Sequence, residues 1–433
     1  MLFSDMRHCF LMVCLPICAA LLLAGCKRDM FDPQAYQQVV DETFPVSNVD
    51  PNHTWNLTQS HSVVVKANVD PSVSIRSVRI LSGNPFTTKN VEILAEANIQ
   101  TNDMTTLFFY APSHMSLFYA ALIDADGSYI LKSFNSSETN VSFDSGADYT
   151  PSGTLNEPIY QTYTYCYEED YPKPGDWDFN DLVLRIQKLP AQEPNSVRLR
   201  VTLVAVGAKK QLAAAICLIG YTANDVESVA IEEGRTFDGA YSQKRIFIEK
   251  ADLLLRGRHD EAIINLFEDA HYAMSPRLKT PEEGGTTIRM FYNTSHTPDG
   301  TTHAQIAAKT LTYVVKFKTD KGLQNFTLET LDPFALEDFN SGKWEVHCAP
   351  HKASQVLQDL GNNETATSNN MVWALKIPYG TFRYPLEGQP LGLYKDGVLT
   401  GAYMETDHSY GQWVSNHNTS IDWFLHPTTG VVY

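Results

Sequence analysis

Residues 168–186 read EEDYPKPGDWDFNDLVLRI, a dense acidic segment that runs into an apolar one. Lys173 is the only basic residue before Arg185. So many anions are stable together only if they are solvated or share a cation, and oxygen ligands suit a hard ion such as Ca²⁺. The acidic segment contains six carboxylates, those of Glu168, Glu169, Asp170, Asp176, Asp178 and Asp181.

The apolar end of this stretch alternates as a β-strand does. Leu182, Leu184 and Ile186 would share one face of an extended segment. If the strand continued backwards, Asp178 and Asn180 would join that apolar face, which is costly for a charge without partners. Two prolines and a glycine in the acidic segment also favour a loop. We therefore predict an acidic loop that leads into a buried strand.

The spacing of the acidic residues resembles the opening of an EF-hand loop, but Asp181 lies where that loop needs glycine. Its terminal glutamate position falls on Gln187, so the EF-hand is excluded. The remaining alternative to a calcium site is a solvated acidic turn. The predicted Ca²⁺ ligands are the side chains of Glu168, Glu169, Asp176, Asp178, Asn180 and Asp181.

The segment GDWDFNDLV at 175–183, with Tyr167-Glu168-Glu169 before it, resembles the signature of the LruC-domain family. The chain departs from that pattern at Glu169, where aspartate is common, and at Val372, where proline often occurs. The resemblance covers about residues 160–433 and implies a surface lipoprotein with a β-rich domain and no established chemistry. Further matching segments follow in order: DPF at 332–334, EVH at 345–347, WALKIP at 373–378, FRYPLE at 382–387 and DWF at 422–424.

The N-terminus has the features of an export signal. A basic start, a short apolar core and small residues before a cysteine predict a signal peptide over residues 1–25. Its LAGC ending at 23–26 resembles a bacterial lipobox, so Cys26 is the predicted lipidation site. The apolar run is interrupted by Pro16 and is shorter than the ~20 residues of a spanning helix, which disfavours an uncleaved anchor. Several acyl chains on Cys26 would hold the protein at the outer membrane, on a face that the sequence leaves open.

Charge and cysteine content exclude several classes of protein. With a formal net charge of −17, the sequence shows no basic nucleic-acid footprint. Beyond the signal and Cys26, the chain has Cys166, Cys217 and Cys348, which allow at most one disulfide of undetermined pairing or three buried thiols. No C-x-x-C pair occurs there, so a zinc ribbon is unsupported.

The pattern of short strands and turns predicts a mainly β protein. We expect a lipid tether with a short helix over residues 26–49, a β-sandwich over 50–145 and a linker over 146–158. A larger β-rich domain with one or two short helices should follow over 159–433. In the sandwich, strands are predicted at 61–67, 73–81, 91–95, 106–110, 116–123 and 129–134.

Several elements of the second domain have readable patterns. A strand is predicted at 163–167, entering the acidic loop, and others at 197–206, 308–319 and 326–331. Residues 211–221 are a buried strand or a short helix. Apolar spacing predicts a helix over 260–274, with Asp260 as its cap. The DADG sequence at 124–127 is expected to be a hairpin turn and not a metal site.

Other candidate sites have weaker support. His347 and His351 flank Cys348, but no third ligand is identified. The resemblance to the LruC-domain family implies that His347 lies on a strand. Two acidic-loop carboxylates could act as a glycosidase acid and base, although carboxylates held ionised by a cation are poor acids. The aromatic residues of the C-terminal part should fill the core, with a binding surface as the alternative: Trp373, Tyr379, Phe382, Tyr384, Tyr394, Tyr403, Tyr410, Trp413, Trp423 and Phe424.

The sequence thus predicts a lipid-anchored envelope protein that contains a non-catalytic binding or structural module stabilised by Ca²⁺. Its expected partners are the membrane, through the lipid, and a glycan or envelope protein, with no role for nucleic acid. The alternative function is an extracellular enzyme that acts on polysaccharide with the acidic-loop carboxylates. A closed oxygen cage around Asp178 would favour the structural role, and an open cleft beside exposed aromatic residues would favour catalysis.

Overall fold

A computed structural model describes residues 49–144, 153–169, 171, 175–237, 252–274, 291–293, 303–320, 322–339, 342–351, 370–395 and 398–433. The predicted signal peptide, Cys26 and most of the tether with its short helix lie outside these residues, as do Asp170 and Lys173. No helix in the described ranges has the length and apolar character needed to cross a membrane.

Two facing sheets form the N-terminal sandwich. A three-stranded sheet of order β4-β1-β7 packs against a five-stranded sheet of order β6-β5-β2-β3-β8. Side chains from both sheets, such as Val65 and Phe118, share one apolar core. This arrangement confirms the predicted sandwich. Its strands are β1 (Thr58–Asn68), β2 (Ile75–Leu81), β3 (Glu92–Asn98), β4 (Met104–Pro112), β5 (Leu117–Asp124), β6 (Tyr129–Asn135), β7 (Asn140–Asp144) and β8 (Ile159–Tyr160).

The chain leaves the N-terminal sandwich later than its sequence suggested. Strand β7 ends just before the predicted linker and pairs in parallel with β1. Strand β8, at the start of the predicted second domain, pairs in parallel with β3 of the first sandwich. The next strand begins at Thr162, so the chain passes from one sandwich to the other at Gln161.

A second, larger sandwich follows. Its six-stranded sheet has the order β13-β18-β11-β10-β9-β21, and its five-stranded sheet has the order β14-β15-β12-β19-β20. Both sheets contribute to one core, and two-stranded pairs β16-β17 and β22-β23 lie beside them. The strands are β9 (Thr162–Tyr167), β10 (Leu182–Leu189), β11 (Ser196–Ala205), β12 (Leu212–Thr222), β13 (Val226–Ile231), β14 (Leu254–Arg256), β15 (Glu261–Phe267), β16 (Phe291–Asn293), β17 (His303–Gln305), β18 (Lys309–Phe317), β19 (Leu331–Phe339), β20 (Gly342–His347), β21 (Ala374–Ile377), β22 (Leu393–Lys395) and β23 (Val398–Thr400).

Helices are short in the described part of the chain. Helix α1 is Ala270–Met274 and α2 is Tyr410–Ser415, and single 3-10 turns occur at Leu323–Asn325, Leu328–Thr330 and Trp423–Leu425. Helix α2 begins with a reciprocal cap, in which Ser409 and Gln412 exchange hydrogen bonds between side chain and backbone. The mainly β fold with one or two short helices is therefore confirmed.

The acidic loop leads directly into a buried central strand, as predicted. Strand β10 begins at Leu182 and lies between β9 and β11 in the six-stranded sheet. Leu182, Leu184 and Ile186 are fully buried. The loop therefore connects β9 to β10 at one end of the second sandwich.

Two secondary-structure predictions are wrong. Residues 261–267 of the predicted 260–274 helix form strand β15, and only Ala270–Met274 is helical. Strand β15 lies between β14 and β12 with both faces buried, so its run of apolar residues imitates a helix face. The predicted 326–331 strand is instead a 3-10 turn at Leu328–Thr330, capped by the Thr327 hydroxyl, before β19 begins. Residues 211–221, left open by their pattern, form β12.

Three smaller predictions are resolved. Asp124 Oδ1 accepts hydrogen bonds from the Asp126 and Ser128 backbone amides, which confirms the hairpin turn. The three cysteines are free and buried. The C-terminal aromatic residues fill the core, with Tyr379 37% exposed and the side chain of Tyr394 outside the description. Those that are buried are Trp373, Phe382, Tyr384, Tyr403, Tyr410, Trp413, Trp423 and Phe424.

Candidate metal centre

The frame of the acidic loop is the end of the β9-β10 ladder. Tyr167 and Leu182 are direct partners in this antiparallel pair. Glu168 and Asp181, the next residues outwards, therefore face each other at the mouth of the loop. The Glu168 amide also donates to the Trp373 carbonyl at 2.9 Å, which ties this end of β9 to the residue before β21.

The carboxylate of Glu168 organises the backbone of the loop. Trp177 and Phe179 adopt left-handed backbone conformations, with φ of 61° and 53°, which cost L-residues roughly 1–2 kcal/mol each. Both backbone N–H groups donate to the Glu168 carboxylate, and both aromatic side chains are buried. These contacts offset the backbone strain at Trp177 and Phe179 and fix the position of the Glu168 carboxylate inside the loop.

Three buried carboxylates converge under this loop. Glu168, Asp178 and Asp181 are 1%, 1% and 6% exposed. One carboxylate oxygen of each lies within 4.8 Å of the others. No basic side chain in the described ranges forms a hydrogen bond or ion pair with any of the three. The solvated-turn alternative does not fit them, because a solvated turn would leave its carboxylates in water.

Burial and mutual repulsion make these carboxylates difficult to ionise. Burial raises the pKa of Glu168, Asp178 and Asp181 well above the usual range for carboxyl groups. Neighbouring carboxylates raise the pKa further, Asp176 most strongly for Glu168, and Glu168 most strongly for the other two. The group therefore needs either protons or an external cation.

A second carboxylate group overlaps the first at its outer side. One oxygen each from Asp176, Asp178 and Glu387 lies within 4.8 Å of the others, and Asp176 is exposed. Burial and the Asp176 charge raise the pKa of Glu387 to about 7. The Gly388 amide donates to Asp178 Oδ2 at 2.7 Å, which fixes the Glu387 turn beside the loop. Asp178 therefore belongs to both groups.

Asn180 supplies a further buried oxygen. Its Nδ2 donates to Asp178 Oδ2 at 2.8 Å, and its Oδ1 is buried without a hydrogen-bond partner. A Cβ at Gly207 would lie 1.9 Å from this Oδ1, and one at Gly175 would lie 2.1 Å from Glu168 Oε2. Because Gly175 and Gly207 have no Cβ, there is room beside them for these two oxygens. The all-oxygen donor set, the unpartnered amide oxygen and this space fit a bound Ca²⁺ ion.

The structure gathers five of the six side chains predicted as ligands. Glu169 differs, because its carboxylate accepts hydrogen bonds from the backbone amides of Lys209 and Lys210. Glu387 is not among the ligands predicted from the sequence. It lies in the FRYPLE segment at 382–387, which resembles the LruC pattern but indicates no role for this residue.

The second sandwich contains another buried charged group, around His347. His347 Nδ1 lies 2.7 Å from Asp332 Oδ2, and Nε2 lies 3.3 Å from Glu345 Oε2. Burial lowers the pKa of His347, but Asp332 and Glu345 outweigh it and raise the pKa to about 9. Burial also raises the pKa of the adjacent Cys348 thiol. A Cys-His nucleophile is therefore disfavoured, since the imidazole is held by carboxylates and the thiol resists ionisation.

A cavity of about 580 Å³ lies at the junction of the two sandwiches. It is lined by β3, by residues 188–191 and 193–197 and by residues between 320 and 328, and includes Tyr160 and Lys188. None of the acidic-loop carboxylates lines it. The cavity and the carboxylate groups are therefore separate features.

A protein-family model described as a domain of unknown function (DUF4842) matches residues 195–424, just over half of the chain. Glu387 lies inside the matched span, and the acidic loop lies before it. No curated protein matches the chain.

Two solved structures show limited similarity. A Bacteroides ovatus protein provisionally described as a lipoprotein has a TM-score of 0.49 and 15% identity, covering 82% of this chain and 98% of that one. The full-length major pilin SpaD of Corynebacterium diphtheriae has a TM-score of 0.15 and 8% identity, covering 82% and 83%. At these scores neither likeness bears on function.

Proposed function

The chain belongs to the DUF4842 family, whose function is unknown, and we propose that it is an exported, lipid-anchored envelope protein whose second sandwich is a non-catalytic binding or structural module stabilised by Ca²⁺. The membrane is one partner, through lipid on Cys26. The other is a glycan or protein of the envelope.

The buried carboxylates Glu168, Asp178 and Asp181 are the observation that supports calcium. Each buried, unpaired ion costs several kcal/mol, and the described residues supply no basic partner. A divalent cation removes this cost and satisfies all three at once. Ca²⁺ accepts six to eight oxygens in flexible geometry, whereas Mg²⁺ retains several waters, so the crowded site favours Ca²⁺.

Asn180 and the outer group extend the proposed ligand set. The unpartnered Asn180 Oδ1 is a candidate neutral ligand at the buried position. Asp176 and Glu387 share Asp178 with that position and could hold the same ion or a second one at the mouth. Binding would tie the β9-β10 loop to the turn at Glu387, which joins distant parts of the second sandwich.

The closure of this site supports a structural role over a catalytic one. A glycosidase acid and base must flank a bound sugar, whereas Glu168 and Asp178 are buried. The adjacent aromatic residues Trp177, Phe179 and Trp373 are also buried, so they offer no platform for a sugar. The cavity between the sandwiches contains none of these carboxylates. No observation therefore favours the polysaccharide-acting alternative.

Titration calorimetry with Ca²⁺ on the chelator-stripped protein tests the calcium proposal. The wild type should bind at least one Ca²⁺ per chain. Asp178→Ala should abolish binding, because Asp178 belongs to both carboxylate groups. The hairpin variant Asp126→Ala should bind as the wild type does. Absence of binding by the wild type, or an unchanged isotherm for Asp178→Ala, would contradict the proposal.

The LAGC ending at 23–26 and the resemblance of residues 160–433 to surface lipoproteins of the LruC family support the proposed location. Cys26→Ser should prevent acylation and release the protein from the membrane fraction, because serine cannot receive the lipid. Metabolic labelling with a fatty acid, together with fractionation, measures both effects. A Ser variant that is still acylated and membrane-bound would refute the anchor.

A further inference from the structure

Two imidazoles lie stacked in the C-terminal segment. The ring centroids of His408 and His426 are 4.0 Å apart, with an 18° angle between the ring planes. Their side chains are 37% and 27% exposed, so both rings can be reached from solvent. Local structure fixes their positions: the His408 amide donates to Glu405 O in a tight turn, and His426 closes the 3-10 turn at Trp423–Leu425.

Asp422 lies against one edge of both rings. His408 Nδ1 is 2.8 Å from Asp422 Oδ1, and His426 Nε2 is 3.4 Å from Asp422 Oδ2. In the neutral His408 ring, this carboxylate favours the proton on Nδ1, so the lone pair remains on Nε2. Metal-ligating histidines are commonly held in this way, with a carboxylate behind the ring.

Glu405 lies at the other edge of His426. Its Oε2 is 3.2 Å from His426 Nδ1, so each nitrogen of the His426 ring faces a carboxylate, and a metal ion on Nδ1 would leave Asp422 at Nε2. One ligand atom each of Glu405, His408 and His426 lies within 4.8 Å of the others. Side-chain rotations would bring three such atoms to the roughly 2.0–2.2 Å of metal bonds.

We propose that Glu405, His408 and His426 bind a zinc-type divalent ion, with Asp422 orienting both imidazoles from behind. Two imidazole nitrogens and one carboxylate oxygen suit Zn²⁺ and other borderline transition metals, whereas Ca²⁺ takes oxygen ligands. Three protein ligands on an exposed face leave a coordination position for water or for a ligand from another molecule.

This site is independent of the proposed calcium centre, since the two share no residue. The competing explanation is that Asp422 and Glu405 merely form ion pairs with protonated imidazoles. Hydrogen bonding to Asp422 raises the pKa of His408, which is consistent with that state at acidic pH. At neutral and higher pH a metal ion would displace the protons.

Zinc titration of the purified full-length protein in saturating Ca²⁺ tests the proposal, monitored by calorimetry and by the visible absorption of Co²⁺ as a substitute ion. The wild type should bind one zinc ion per chain, and Co²⁺ should give the d–d bands of a low-coordinate nitrogen-oxygen site that Zn²⁺ bleaches. His408→Ala and His426→Ala should each lose this ion. Asp422→Asn should weaken binding by roughly ten- to a hundredfold, because it removes the charge behind the rings.

His417→Ala is the matched control. His417 Nδ1 pairs with Asp50 Oδ2 at 2.6 Å, a single imidazole-carboxylate pair. Zinc binding by this variant should equal that of the wild type. Circular dichroism establishes whether each variant is folded. If a variant is unfolded, the Co²⁺ spectrum of the wild type decides whether the proposed site binds metal.

Absence of zinc binding at micromolar concentrations, or of the Co²⁺ bands in the wild type, would overturn the proposal. Retention of the zinc ion by folded His408→Ala and His426→Ala would do the same, as would its loss in folded His417→Ala. Because Ca²⁺ saturates the acidic loop throughout, failure of this site leaves the calcium proposal unaffected.

Discussion

Two groups of buried carboxylates in the described part of the second sandwich differ in their source of positive charge. Asp332 and Glu345 lie on either side of His347, whose raised pKa keeps the imidazole positively charged. The group of Glu168, Asp178 and Asp181 has no basic side chain bonded to it in the described residues. Both groups are almost completely excluded from solvent.

The contrast indicates where an external ion is needed. An imidazolium between two carboxylates replaces their lost hydration with hydrogen bonds supplied by the chain. The acidic loop has backbone amides and an asparagine amide around its carboxylates, which orient them but do not neutralise their charge. Of these two buried groups, only the acidic loop should depend on an added cation, and substitutions in the two groups should respond differently to Ca²⁺.

The largest expected effect comes from His347→Leu. It removes the imidazolium that lies between the buried carboxylates of Asp332 and Glu345, so the free energy of unfolding should fall by about 3–5 kcal/mol. Urea unfolding with and without Ca²⁺ measures this loss, which should be the same in both conditions. A loss that Ca²⁺ restores would mean that the His347 group is itself a metal site.

A smaller effect is expected from the titration of His347. Its pKa is about 9 in the folded protein and 6.5 when unperturbed, so its stabilisation is complete below pH 6.5 and is lost as the pH rises through 9. That loss corresponds to roughly 3 kcal/mol of unfolding free energy. Urea unfolding at several pH values in saturating Ca²⁺, with an NMR titration of the imidazole, checks both values. Titration of the folded-state ring at or below pH 6.5 would contradict the paired arrangement.

A still smaller effect is expected from Asp178→Asn, whose change in stability should have opposite signs in chelator and in Ca²⁺. With chelator present, removal of one charge from the buried group should increase stability, by about 1–2 kcal/mol. In Ca²⁺, the variant should be less stable than the wild type because it has lost a charged ligand. Thermal unfolding of both proteins in both conditions measures the reversal. The exposed-turn variant Asp126→Asn is the control and should stay within about 0.5 kcal/mol of the wild type. Destabilisation by Asp178→Asn in both conditions would assign Asp178 a packing role only.

The sequence predicted the parts of the site that are local. Asp176, Asp178, Asn180 and Asp181 precede an alternating apolar strand, so a loop with converging oxygens could be inferred from spacing and from the cost of buried charge. Glu387 joins through a tertiary contact, the Gly388 amide to Asp178, which pattern alone cannot supply. Glu169 was predicted together with its neighbours, and its carboxylate accepts hydrogen bonds from the backbone amides of Lys209 and Lys210.

The errors in the predicted fold also arise because sequence pattern does not contain tertiary contacts. Strand β15 was predicted as a helix because both of its faces are buried, which removes the alternation that marks a half-exposed strand. Half-exposed strands such as β11 kept their alternation and were predicted correctly. The stacked pair of His408 and His426 went unrecognised, because the two residues come together only in the folded chain.

Calorimetry of the wild type in Ca²⁺ and in chelator tests the central claim most directly. A cation that binds only the folded state should add about 2.7 kcal/mol to the free energy of unfolding at roughly a hundred times its dissociation constant. The melting transition of the second sandwich should therefore shift to higher temperature with Ca²⁺, and Asp178→Ala should lose that shift. Superimposable melting curves in Ca²⁺ and chelator would contradict the account, because the buried carboxylates would then be stable without a metal ion.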